Sequence, residues 1–70
     1  MSAIVKKAIA SRGWTQKRLA IEAGVHTSVI SRYVKYGVFP RMETVVKIAE
    51  ALDLNPMELL EEALRKGETL

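Results

Sequence analysis

Gly24 stands in the middle of EAGVHTSVISR, residues 22 to 32, between two stretches whose apolar residues recur at helical spacing. Glycine inside a helix costs about 1 kcal/mol relative to alanine, yet it takes a left-handed backbone without strain. Thr27, Ser28 and Ser31 then crowd weak helix formers into the next turn and a half. A chain of this kind is expected to break into two short helices across a tight turn.

The remaining punctuation extends that pattern to five helices. Ser2 suits the N-cap of a first helix over residues 3–12, with Ile4, Val5, Ala8 and Ile9 on one face and Gly13 ending it. Thr15 caps a second helix, 16–23, with Trp14 and Leu19 placed as a hydrophobic staple. After Gly24, Val25 and Ile30 form a second staple around His26, a poor capping residue, and a third helix covers about 27–35. The loop YGVFPR contains Gly37 and Pro40 and is unusually apolar.

The fourth helix, about 42–51, places Met42, Val45, Val46, Ile48, Ala49 and Leu52 on one broad face. In Asn55-Pro56-Met57-Glu58, Asn caps, Pro fills the first turn, and Glu58 stands at a capping-box position, with Leu54 able to staple to Leu59. The fifth helix runs to about Lys66 before Gly67. There is no strand candidate and no repeat, so the expected fold is all-α and compact, with a core over about 3–66.

Size and composition narrow the function. Seventy residues make one domain, at a length where only ~60% of the unfolded surface is buried. Cysteine is absent and histidine occurs once, which removes disulfides, thiolate zinc sites and thiol nucleophiles; no metal or cofactor is expected. Lys6 and Lys7 interrupt any signal-peptide apolar core, and no run approaches the roughly 18 apolar residues of a membrane span, so a cytoplasmic protein is expected. No acid pair, Ser-His-Asp set or phosphate-cradling glycine loop occurs at workable spacing, and an enzyme is the poorest reading.

Charge is divided along the chain. Residues 1–41 carry +7, with Glu22 as their single acid, whereas residues 42–70 carry −4. The first part attracts a polyanion and the second does not. Two short helices joined by a glycine turn, on the basic part, make a helix-turn-helix arrangement. Ala20 is small where the helices would cross, and Val25, Ile30 and Tyr33 point inward beside Leu19.

The stretch TQKRLAIEAGVHTSVISRY, followed by Pro40 and METVVKIAEALDLNPMELL, resembles the phage-repressor and Cro-type helix-turn-helix proteins (lambda-repressor-like domains) over about residues 4–64. The resemblance implies a five-helix fold that binds double-stranded DNA in the major groove, commonly as a homodimer and commonly as a transcriptional repressor. It assigns base reading to Thr27 and Ser28, and with them Ser31 and Arg32. Arg paired with guanine is the commonest specific base contact, although Arg32 could equally hold a phosphate or Glu22. The resemblance places Gln16 on the DNA backbone, with Thr15 and Lys17 beside it and Lys35 and Arg41 as further phosphate ligands.

The sequence departs from that family after the third helix. Val34, Tyr36, Val38 and Phe39 stand where many relatives are polar, and Ile21 is apolar at a position that usually faces water. Phe39 is expected to pack locally. In the fifth helix the apolar set Met57, Leu59, Leu60, Ala63 and Leu64 is wider than one core contact requires, so Met57, Leu60 and Leu64 are expected at a dimer interface. A protein-interaction module, such as the DNA-binding antitoxin partner of a small toxin, is the alternative.

Overall fold

The computed structural model describes residues 2–67. It consists of α1 (Ala3–Arg12), α2 (Gln16–Ala23), α3 (Thr27–Tyr36), α4 (Met42–Ala51) and α5 (Pro56–Arg65). Each helix begins and ends within a residue or so of its expected position; α3 gains Tyr36. Helix α2 packs on α3 and α4, α5 on α4 and α1, and α1 on α3. Val5, Leu19, Ile30, Tyr33, Val45, Ile48, Leu59 and Ala63 are fully buried at the centre. Trp14, Val25 and Leu54, the outer members of the three staples, pack half-buried against that core.

Helix α2 stops for a specific reason. Gly24 takes φ 71°, the Val25 N–H donates to the Ala20 carbonyl at 2.9 Å, and the Gly24 N–H donates to Ile21 at 3.2 Å. That pair of bonds is a Schellman ending, which satisfies carbonyls the helix would otherwise leave open. A Cβ added at Gly24 would meet nothing within 4 Å, so substitution is opposed by backbone conformation alone. Gly24→Ala is therefore expected to destabilise by about 1 kcal/mol, with Gly24→Asn losing less because Asn tolerates the left-handed region. Thermal unfolding of the two variants checks the ranking.

Helix α4 ends in the same motif, with Leu54 N–H to Ala49 at 2.8 Å and Asp53 N–H to Glu50 at 3.2 Å. Here Asp53 occupies the left-handed position at φ 57°, a role the sequence does not advertise because glycine is absent. Arg12 reaches the same end and donates to the Leu52 carbonyl at 2.9 Å. Its guanidinium and that of Arg18 lie 5.2 and 5.1 Å from the Trp14 ring, so one indole joins α1 to α2 by two cation–π contacts.

The opening of α1 depends on a residue sixty positions away. Ser2 Oγ accepts from the Val5 N–H and donates to Glu62 Oε1 at 2.6 Å, while Glu62 Oε2 accepts from the Ile4 N–H at 3.0 Å. Ser2 is completely buried and Glu62 nearly so. In a capping box the acid stands three residues after the cap; here that position is Val5, and α5 supplies the carboxylate instead.

Two expectations are corrected. Met42 remains 42% exposed, because it lies at the rim of a groove with Phe39, Pro40 and Leu60, and Val46 is only half-buried. Glu58 completes no capping box: the Asn55 side chain accepts from Met57 N–H at 2.9 Å, and the Glu58 N–H bonds the Asn55 carbonyl. Phe39 packs locally as expected: it and Val34 belong to the core, Phe39 meeting Tyr33 edge-on at 5.6 Å between ring centroids.

Candidate nucleic-acid interface

Helix α3 is held by one side only. Ile30, Tyr33 and Val34 are buried, which by the 3.6-residue repeat turns Ser28, Arg32 and Lys35 outward; all three are exposed, as is Thr27 in the first turn. Ser31 lies on the edge of that face and is half-buried, so its hydroxyl has less reach than its neighbours'. His26 has the backbone geometry of the N-cap but makes no side-chain cap bond, in keeping with its poor capping chemistry.

The acid that could have blunted this face is already engaged. Arg18 Nε donates to Glu22 Oε2 at 2.9 Å, an i,i+4 pair along α2. Arg32 therefore does not hold Glu22, and among the described residues it makes no hydrogen bond or ion pair. Its guanidinium and the Lys35 ammonium project from α3 with no carboxylate bonded to either.

The start of α2 carries a second polar group. Thr15 Oγ1 accepts from the Arg18 N–H at 3.1 Å, which occupies the oxygen as an acceptor but leaves its O–H to donate. Gln16 is half-buried at the first helical position and Lys17 is exposed. Arg41 is exposed at the start of α4, where it occupies the N-cap position without a side-chain cap bond. Thr15, Gln16, Lys17, Lys35 and Arg41 thus come from three elements, and α3 adds Thr27, Ser28, Ser31 and Arg32.

On the opposite account are the exposed apolar side chains. Tyr36 is 74% exposed and Ile21 66%, so neither departure from the family pattern is explained by packing. On α5, Met57 and Leu64 are exposed and Leu60 is half-buried, while Leu59 and Ala63 take the core side. Sequence reasoning missed Glu62, Ser2's hydroxyl contact to it, and the Arg12–Trp14–Arg18 stack. Only the Arg18–Glu22 pair had a local signal, its i,i+4 spacing.

Two helices joined by a Schellman turn, the second presenting a polar cationic face, define a helix-turn-helix unit. The family model described as Helix-turn-helix matches residues 5–59, and the chain belongs to that family, in its Cro/C1 or phage-repressor type. The family is one of DNA-binding regulatory domains. No curated protein and no solved structure matches the chain. Among the described residues, no helix is long and apolar enough to cross a membrane, and no group of His, Asp or Glu is placed to hold a metal ion.

Proposed function

We propose that residues 1–70 act as one DNA-binding unit: a cytoplasmic, nucleoid-associated, homodimeric transcriptional repressor that reads double-stranded DNA through the major groove without a cofactor. The observation that carries this reading is the outward face of α3, where Ser28, Arg32 and Lys35 are exposed while the nearby acid Glu22 is bonded to Arg18. Thr27, Ser28, Ser31 and Arg32 read base edges, for which hydroxyls and a guanidinium are suited. Thr15, Gln16, Lys17, Lys35 and Arg41 hold phosphates and set the register. Gel shift on genomic fragments tests it: saturable binding that weakens steeply with salt is expected, and no saturable binding at low salt would end the proposal.

Dimerisation through α5 follows from the leftover apolar residues. Met57, Leu60 and Leu64 lie on one side of α5, and a two-fold partner would bury them against their own copies. Leu64→Glu is expected to leave the fold intact, since Leu64 is 59% exposed, while converting a dimer to a monomer in sedimentation equilibrium. The same ridge favours a second reading, an antitoxin-type partner surface for a small toxin. Co-purification with a neighbouring gene's product that survives nuclease treatment would select it.

A further inference from the structure

A groove along α1 shares no residue with the proposed DNA contacts. Ile4 and Ala8, one turn apart on α1, line it with Leu52 and Leu54 of the α4–α5 turn, and its volume is about 400 Å³. That falls within the ~300–1,000 Å³ of sites that take a small molecule. Ile4, Ala8 and Leu54 are half-buried, so apolar surface stays open in it. Two cations, Lys7 and Arg12, also line the groove, and no acid does. Among the described residues neither forms an ion pair, and Asp53, the exposed acid between the two leucines, bonds to neither.

We infer that this groove binds a medium-chain carboxylate, a free fatty-acid anion, as an effector. The tail covers Ile4, Ala8, Leu52 and Leu54, and the carboxylate pairs with the Lys7 ammonium and the Arg12 guanidinium. An apolar floor beside two unpaired cations suits an amphipathic anion and repels a cation of the same shape. Arg12 has donors to give: its bond to the Leu52 carbonyl engages Nη2 and leaves Nε and Nη1. Arg12 also lies 5.2 Å from the ring of Trp14, the residue before Thr15 and Gln16, so a carboxylate that draws the guanidinium off the ring acts on the start of α2. Resting on the DNA-binding reading, which gives Thr15 and Gln16 to phosphates, occupancy of the groove weakens duplex binding.

Trp14 is the only tryptophan of the chain, so its fluorescence reports the groove through Arg12. Titrating the full chain with decanoate, below micellar concentrations, should give a saturable change in Trp14 emission. Hexanoate, which buries fewer methylenes, should bind about tenfold or more weakly, and decyltrimethylammonium should give no saturable change. Lys7→Glu should raise the decanoate Kd about tenfold or more. Lys6→Glu, the same charge change at an exposed neighbour outside the lining, should move it less than about twofold. In anisotropy with a mixed-sequence duplex, saturating decanoate should weaken DNA binding about fivefold in the unmodified chain and leave Lys7→Glu unaffected. Equal response to decanoate and decyltrimethylammonium, or equal effects of Lys7→Glu and Lys6→Glu, would overturn the inference. So would a Trp14 signal that follows protein concentration and not decanoate, which would give the groove to a second copy. Saturable decanoate binding with unchanged duplex affinity would overturn the effector role. Absence of duplex binding by the unmodified chain would remove the DNA-binding reading, while the decanoate titration would still decide the site.

Discussion

Glu62→Ala is expected to lower stability by about 3 kcal/mol, because it strands a buried hydroxyl and a part-buried N–H at once and empties a buried site. Both Glu62 oxygens are used, one by Ser2 Oγ and one by the Ile4 N–H, and its side chain is only 5% exposed. Alanine would also leave a space between α5 and α1. A chain of this length has a total stability of roughly 4–10 kcal/mol, so the loss is a large share of it. The expected fall in Tm is at least about 10 °C by circular dichroism, since 1 kcal/mol shifts a small domain by about 4–8 °C.

Glu62→Gln supplies the control. Its amide oxygen can still accept one of the two bonds, so it should recover part of the loss. Ser2→Ala should be milder than Glu62→Ala, since the carboxylate keeps the Ile4 N–H. If Glu62→Ala unfolded at the same temperature as the unmodified chain, the cap joining α5 to α1 would carry no stability.

The second large effect concerns recognition. Arg32→Ala should cost about 1–3 kcal/mol on a preferred site and much less on mixed sequence, narrowing the gap between them. Lys35→Ala should weaken binding to all sequences alike and reduce the salt slope by about one, as expected for a phosphate contact. Competition binding with preferred and mixed duplexes separates the two. Uniform loss in both variants would assign Arg32 to the backbone.

Much of this architecture is legible from residue order because its determinants are local. Gly24, Thr15 and Asn55 act within a few residues of themselves, and the 3.6-residue repeat alone turns Ile30 and Tyr33 inward and Ser28 outward. Glu62 was not legible, since its partners lie some sixty residues away and only the packing of α5 on α1 brings them together. Met42 misled for a related reason: periodicity gives a direction around α4 but not where the core ends along it. The exposure of Tyr36 and Ile21 likewise depends on what neighbouring helices leave uncovered. The basic residues were legible as a set and the Arg18–Glu22 pair by its i,i+4 spacing within α2, but that Arg32 is left without this acid required the position of α3.

Selection of bound sites from random duplex DNA tests the central claim, that the outward face of α3 reads base edges. Two recognition helices related by a two-fold axis should enrich a palindromic sequence whose half-sites are centred about 34 Å, or one helical turn, apart. Arg32→Ala should relax one position in each half-site while preserving the spacing. Recovery of DNA with no enriched sequence, or enrichment unchanged by substitutions at Thr27, Ser28 and Arg32, would contradict base reading by α3.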